Sequence, residues 1–198
     1  MNKQILSKKE ETKNRMIDAA GRGFRQFGYG GIGVDGIAKE AGVTSGAFYA
    51  HLGSKSAAFN IAVVAGLDEV IEAIPMFRNS HGQHWIKAFA EYYLGKPHRD
   101  DLACGCAMAS LTPEVVKADN EIHVVYEAKM KQIMSLIADG LEGSSIGDRS
   151  SRAWSFLSIL IGGLNITRAM NTHKTSEEIA KTVIEAAIEL AGTAKVSS

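Results

Sequence analysis

The chain has 198 residues, of which 45% are hydrophobic and 22% are charged, a composition typical of a globular protein and unlike that of a disordered one. Its 22 basic and 22 acidic residues give a net charge of zero, which excludes a globally basic nucleic-acid binder. The charge is unevenly placed: residues 1–55 contain nine Lys or Arg and five Asp or Glu, a net charge of +4, and residues 56–198 carry −4.

Several features indicate where the protein acts. Residues 1–13 are polar and lack the apolar core of a secretory signal. The longest stretch without a charged residue, residues 153–167, is shorter than the roughly 18–20 apolar residues that a membrane span needs. Two cysteines, Cys104 and Cys106, are too few for a disulfide framework. We therefore predict a cytoplasmic protein without a membrane segment.

Apolar and small residues recur at helical spacing along most of the chain, and no convincing run of alternating strand residues occurs. The sequence predicts an all-α fold of about nine helices. These cover residues 12–27, 34–41, 44–51, 55–72, 83–94, 102–111, 113–141, 148–170 and 175–191.

Capping residues and helix breakers predict the boundaries of these helices. The glycine-rich segment 28–33 ends the first helix, Gly42 makes a tight turn after the second, and Pro75 with residues 79–82 marks a linker. The other predicted loops are residues 95–101 and 143–147, and the predicted N-caps are Thr44 or Ser45, Ser54, Thr112, Asp148, and Thr175 or Ser176.

Two short helices joined by a glycine-containing turn are typical of a helix-turn-helix, which here covers residues 34–51. The landmark segments are Thr12–Ala20, Phe27–Tyr29, Val34, Ile37–Val43, Gly46–Tyr49 and His51–Lys55. Together they resemble the N-terminal domain of the TetR family of bacterial transcriptional regulators. The resemblance implies a DNA-binding domain in residues 1–54 and a helical domain for effector binding and dimerisation in residues 55–198.

The start of the third helix has side chains suited to DNA. Thr44, Ser45, Gly46 and Ala47 are small and would not block entry into the major groove. The polar tips of Tyr49 and His51 and the positive charges of Lys13 and Lys55 suit phosphate groups. The predicted DNA-binding residues are Lys13, Thr44, Ser45, Gly46, Ala47, Tyr49, His51 and Lys55. A purely structural role in the core remains open for Tyr49 and is preferred for Phe48.

Two departures from the family pattern remove expected phosphate contacts. Many members have Thr or Ser as the cap of the second helix, where this chain has Gly31-Ile-Gly33, and many have Lys or Arg where this chain has Ser45. The glycine-rich segment also completes no nucleotide-binding fingerprint, so we exclude a nucleotide site there.

The resemblance further implies a homodimer that binds a palindromic double-stranded operator and responds to a small molecule. Dimerisation would use the helices at residues 148–170 and 175–191. Aromatic and sulfur-containing side chains of the C-terminal domain indicate a small apolar or aromatic effector, although each of them also suits an ordinary core. The predicted lining residues are Trp85, Phe89, Tyr93, Cys106, Met108, Tyr126, Met130 and Trp154.

Two alternatives stay open. Gly105-Cys106 resembles a Gly-Cys pair that starts a comparable helix in some TetR-like regulators, where a stabilised thiolate would sense oxidants or electrophiles; the simpler interpretation is a small buried hydrophobic residue. The other alternative is an enzyme or carrier that does not bind DNA. The sequence contains no recognisable catalytic triad, nucleotide loop or paired-histidine metal motif, so we predict a non-enzymatic regulator without cofactor or metal.

Overall fold

The computed structural model describes residues 7–143 and 145–195. Within those residues the chain forms ten α-helices and one short 3-10 helix, and its only β-type pairing is a bridge between Leu141 and Ala194. The all-α fold predicted from the sequence is confirmed. The helices are α1 (Lys8–Gly31), α2 (Val34–Glu40), α3 (Ser45–Leu52), α4 (Lys55–His81), α5 (Trp85–Tyr93), α6 (Lys96–Asp100), α7 (Ala107–Val115), α8 (Asn120–Asp139), α9 (Ile146–Arg168) and α10 (His173–Ala191), with the 3-10 helix at Gly82–His84.

Helices α1–α3, called the head below, form around one apolar cluster. A capping box starts α1, because Ser7 Oγ accepts from the backbone of Glu10 and the Glu10 carboxylate accepts from the backbone of Ser7. Helix α1 begins earlier than predicted and extends to Gly31, with a kink at Gly28, where φ is 73°. Phe24 of α1 packs edge-to-face on Phe59 of α4, which ties the head to the rest of the chain.

Helices α4–α10, called the body below, are organised around α4. The predicted end of α4 at Glu72 is wrong, because the helix continues through Pro75 to His81 and turns only at Gly82, where φ is 50°. Proline removes one backbone hydrogen bond, but packing on both sides of it holds the helix together: Ile74 is fully buried and Phe77 contacts Phe89 of α5. The predicted linker at Pro75 and residues 79–82 is therefore helical up to His81.

The middle of the chain differs most from the prediction. Residues 95–101, predicted as a loop, contain the short helix α6, and residues 102–106 are irregular instead of helical. Thr112 does not cap a new helix: it lies within α7, where its hydroxyl donates to the backbone carbonyl of Met108 at 2.5 Å. The next helix, α8, begins at Asn120 after a break.

The last two helices, predicted at residues 148–170 and 175–191, run instead over 146–168 and 173–191. Ser145 and Thr172 are the N-caps, since these residues have extended backbone and accept from the third residue of each helix. Asp148, predicted as a cap, donates its backbone N–H to Ser145 Oγ at 3.1 Å. Thr175 and Ser176 likewise lie inside α10.

Helices α9 and α10 pack closely against each other within one subunit. A β-carbon at Gly163 would lie 2.4 Å from a methyl carbon of Val183, so only glycine fits at this crossing. None of the described helices is both long enough and apolar enough to cross a lipid bilayer.

Candidate nucleic-acid interface and neighbouring cavity

Helix α3 has two chemically different sides. Phe48 and Leu52 face the core and are almost completely buried. Thr44 caps the helix, its hydroxyl accepting from the backbone of Ala47 at 3.2 Å. The preceding turn requires Gly42, which has φ 69°. The opposite side of α3 is therefore presented at the surface by a rigid, well-capped helix.

The predicted DNA-binding residues lie on three helices. Thr44 to Tyr49 occupy the cap and first turns of α3, and His51 is in its last turn. Tyr49 is 54% exposed while its neighbour Phe48 is buried, with the two rings in edge-to-face contact. Lys55 begins α4, with its Nζ 4.6 Å from the ring centroid of Tyr29. Lys13 lies apart from them on the exposed side of α1. These placements are compatible with DNA contact, and the roles stay predictions.

Two side chains near this surface were missed by the sequence analysis. Arg15 of α1 reaches the turn before α3, because a β-carbon at Gly42 would lie 3.9 Å from its Nη1 atom. Asp35 of α2 accepts a hydrogen bond from the Ser45 hydroxyl at 2.5 Å. Neither contact has a local sequence signal, because each joins residues that are at least ten positions apart in the chain.

A small cavity of about 100 Å³ lies in the body, between α4, α5 and the irregular segment before α7. Of the eight predicted effector residues, Phe89, Tyr93 and Cys106 line it. Trp85, Met108 and Met130 are buried away from its lining, the Trp85 indole N–H lying 3.4 Å from the carbonyl of Gly140. Tyr126 bonds to Thr112 at 2.6 Å, and Trp154 is 36% exposed on α9. The predicted set thus divides into three cavity residues and five placed elsewhere.

Burial keeps three ionisable groups of the cavity lining neutral, whereas the Glu69 carboxylate in the same lining is 70% exposed and lies 3.7 Å from Nη1 of Arg25. Burial raises the pKa of Tyr93 well above its usual value, and it also raises the pKa of the Cys106 thiol. Burial lowers the pKa of His98. Because Nδ1 of His98 lies 3.0 Å from the carbonyl of Tyr92, which can only accept, this nitrogen carries the proton and Nε2 is unprotonated. The effect on Cys106 is opposite to the thiolate stabilisation expected at a helix start.

The hydroxyl of Tyr93 is the most unusual atom of the cavity. The side chain is 2% exposed, and its oxygen has no hydrogen-bond partner among the described residues. The Cys106 thiol is near enough to affect the pKa of Tyr93, yet it does not complete hydrogen-bond geometry with the hydroxyl. An unpaired buried hydroxyl costs about 1–3 kcal/mol, so a ligand atom that bonds to it gains an unusually favourable contact.

One arginine connects the cavity to the head. Arg25 of α1 donates from Nε to the carbonyl of Ala103 at 2.8 Å, and its side chain is only 10% exposed. Ala103 immediately precedes the cavity-lining residues Cys104 to Ala107. On the other side, a β-carbon at Gly66 would lie 2.4 Å from the β-carbon of Ala107, so α4 and α7 are in direct contact beside the cavity. This segment therefore contacts both α1 and α4.

Metal chemistry has no evident site in this arrangement. Across residues 7–143 and 145–195, no three or more His, Cys, Asp or Glu side chains are grouped so that they could hold a metal ion. Cys104 is exposed and its backbone N–H donates to Asp101 at 3.0 Å.

Comparison with known proteins identifies the head. Residues 16–60 match the family described as bacterial regulatory proteins, tetR family. No curated protein sequence matches the chain. Among solved structures, E. coli NemR in its reduced form superposes with a TM-score of 0.76 at 16% identity, covering 94% of this chain and 98% of that one.

Two further structures extend the similarity over the whole chain. A TetR-family regulator from Agrobacterium tumefaciens has a TM-score of 0.74 at 15% identity, covering 90% of this chain and 98% of that one. One from Cytophaga hutchinsonii has a TM-score of 0.72 at 17% identity, covering 98% and 100%. At identities this low, the structural similarity establishes a shared fold and nothing further. Residues 16–60 thus match the helix-turn-helix region of the tetR family, and the chain as a whole has the fold of these TetR-family regulators.

Proposed function

We propose that the protein is a cytoplasmic, homodimeric repressor, without enzymatic activity, that releases a palindromic operator when a small molecule occupies the cavity of the body. The observation that carries the proposal is the surface of α3, where small polar residues and the exposed Tyr49 stand opposite the buried Phe48 and Leu52. A helix with this division can enter the major groove while its other side remains packed.

The proposed dimer uses α9 and α10. Large apolar side chains are exposed on the outer sides of these helices: Trp154 is 36% exposed and Ile166 51% on α9, and Leu190 is 46% exposed on α10. Such residues are commonly buried at subunit interfaces. In a two-fold dimer the two copies of α3 would be repeated across the symmetry axis, which a palindromic operator requires.

The proposed effector is small, mainly apolar, and carries one polar atom. The cavity volume of about 100 Å³ is below the ~150 Å³ known to admit a benzene ring, so a single ring or a smaller molecule fits with limited expansion. Phe89 supplies an aromatic wall, and the unpaired Tyr93 hydroxyl supplies the polar contact. A neutral effector is favoured, because burial of an unpaired charge beside Phe89 and Tyr93 is costly.

The proposed signal travels through Arg25 and α4. An effector that displaces residues 103–107 changes the hydrogen bond from Arg25 to Ala103 and the contact of Ala107 with Gly66. Helix α4 follows α3 after only two residues, so a rotation of α4 changes the orientation of the recognition surface. Release of DNA then requires only that the effector binds more tightly to the rotated state.

The first experiment measures binding of the purified dimer to DNA flanking its own gene, by electrophoretic mobility and footprinting at low salt. A protected, roughly palindromic segment is the expected result. Lys55→Gln should weaken binding to all sequences and reduce the salt slope by about one, while Lys87→Gln on α5 should leave both unchanged. Folded protein that protects no segment would contradict the proposed function.

The second experiment tests the effector site by a thermal-shift screen of small phenols, aromatic amides and ketones. A compound at 100 times its dissociation constant should add roughly 2.7 kcal/mol to stability. Tyr93→Phe should weaken binding of the compound found, and Arg25→Gln should leave that binding intact but reduce its effect on DNA release. Equal release in wild type and Arg25→Gln would reject the proposed signal path.

A further inference from the structure

Ser45 and Asp35 form a hydrogen-bonded polar pair at the start of α3, beside the other predicted DNA-binding residues. Ser45 is the first residue of α3, and Asp35 lies in the first turn of α2, where it is exposed. The Ser45 hydroxyl donates a hydrogen bond to Oδ1 of Asp35 at an O···O distance of 2.5 Å. Within the described part of the chain, Asp35 makes no ion pair and no other side-chain hydrogen bond. The carboxylate is therefore committed to Ser45 and to the solvent that surrounds both.

This hydrogen bond fixes the chemistry that Ser45 can offer to DNA. A free serine hydroxyl has one donor and two acceptor positions and rotates to suit either kind of partner. When its only proton is held by Asp35, the oxygen can only accept. The second carboxylate oxygen of Asp35 is also an acceptor. The pair thus presents acceptors alone on the side of α3 that faces away from the core.

We infer that Asp35 and Ser45 together form a specificity site that selects an exocyclic amino group in the major groove, the N4 group of cytosine or the N6 group of adenine. In the major groove these are the only base-edge donors, whereas guanine N7 and O6 and thymine O4 are acceptors. An acceptor placed against an acceptor leaves both groups unpaired, so guanine and thymine are disfavoured at this position. The inference rests on the proposed function, because it requires that α3 enters the groove.

The negative charge makes a phosphate contact by this pair unfavourable. Ser45 occupies a position where a basic residue would bind the backbone, and a carboxylate within hydrogen-bonding distance repels phosphate instead. Asp35 is therefore a positioning residue that removes nonspecific affinity and adds discrimination. Its role differs from that proposed for Lys55, whose charge would contact phosphate and therefore would not distinguish one base from another.

The test begins with selection of binding sites from a pool of duplexes randomised over about two helical turns, carried out with the full-length protein. We expect cytosine or adenine to be enriched at one symmetric position of each half-site. Reversal of that base pair, which puts the keto base in place of the amino base on the contacted strand, should weaken wild-type binding roughly tenfold. Removal of the amino group alone, with purine in place of adenine or pyrimidin-2-one in place of cytosine, should have a similar effect and also tells which base is read.

Two variants separate the roles of the pair. Asp35→Ala leaves the Ser45 hydroxyl free to donate, so discrimination at that position should fall to about twofold while overall affinity rises. Ser45→Ala removes the hydroxyl acceptor without changing charge and leaves only the Asp35 carboxylate, so the penalty for deleting the amino group should become smaller than in wild type. Asp18→Ala is the matched control, because it removes one exposed negative charge from α1 and leaves the pair intact; it should preserve the discrimination.

Each outcome has a definite meaning. Wild-type binding that is insensitive to deletion of each amino group in the half-site, or unchanged discrimination in both Asp35→Ala and Ser45→Ala, would overturn the inference and leave the proposed function standing. If the wild type selects no sequence at all, the proposed function fails and this inference fails with it. If one variant loses all DNA binding, its thermal unfolding curve shows whether it is still folded. The discrimination measured with the other variant then decides the inference.

Discussion

The surface of α3 and the cavity of the body differ in how far their polar groups are exposed to water. The α3 surface is open, has small polar residues, and exposes a carboxylate-bound hydroxyl to solvent. Aromatic side chains form part of the cavity lining, and burial keeps its Tyr93 and Cys106 groups neutral. A surface that reads hydrogen bonds must be accessible, whereas a cavity that gains from a single hydrogen bond must exclude water. If both proposed sites bind as we infer, one chain places polar contacts in two environments with different energetics.

The comparison is most strongly tested by core truncation in each region. Phe48→Ala in the head and Phe156→Ala in the body both remove a fully buried ring and should each cost about 3–5 kcal/mol of unfolding free energy. If residues 1–54 and 55–198 are separate domains, Phe48→Ala should unfold the head and abolish DNA binding while amides of the body stay protected from hydrogen exchange. Simultaneous loss of protection in both regions would show a single cooperative unit and reject that division.

The unpaired hydroxyl of the cavity gives the second largest effect, and its sign is unusual. Tyr93→Phe removes a buried oxygen that has no partner, so the variant should be more stable than wild type by about 1–2 kcal/mol in urea unfolding. Tyr126→Phe is the control, because its hydroxyl is bonded to Thr112 at 2.6 Å and its removal should destabilise the protein. Destabilisation by Tyr93→Phe of the same size as the control would mean that the Tyr93 hydroxyl is satisfied.

Helix caps provide a matched pair of smaller changes. Thr44→Ala removes the cap of α3 and Ser145→Ala removes the cap of α9, and each should lower stability by about 1 kcal/mol. Only Thr44→Ala should also weaken DNA binding, since it loosens the start of α3, which carries most of the predicted DNA-binding residues. An equal loss of DNA affinity in Ser145→Ala would show that the two regions are more tightly coupled than their chemistry suggests.

The smallest expected effect concerns pH. Burial lowers the pKa of His98 below its usual 6.5, so the unfolded chain binds this proton more tightly than the folded one. Stability should therefore decrease as the pH falls below about 6.5 and recover as it rises above that value. His98→Asn, which retains a donor for the carbonyl of Tyr92, should flatten this dependence, while His84→Asn at an exposed site should not. A pH profile unchanged by His98→Asn would assign the dependence to other groups.

Much of the head could be predicted from its sequence. The cap at Thr44, the turn at Gly42 and the start of α4 at Lys55 agree with the structure. They could be predicted because a capping side chain or a turn glycine contacts backbone groups no more than about four residues away. The body was predicted less well. Pro75 and Thr112 were interpreted as helix boundaries, yet both lie inside helices that are stabilised by distant packing partners. The interior position of Cys106 likewise follows from neighbours remote in the sequence.

By itself, the sequence determined an all-helical chain, a helix-turn-helix with its cap and turn, and a positively charged first quarter joined to a negatively charged remainder. Tertiary structure alone decided that α4 passes through Pro75 and that three of the eight predicted effector residues meet at a cavity. It also decided that Asp35 accepts a hydrogen bond from the Ser45 hydroxyl. The physical reason is the distance along the chain over which each interaction acts. Capping, turn formation and net charge depend on adjacent residues, whereas burial and pairing between helices depend on how distant segments pack together.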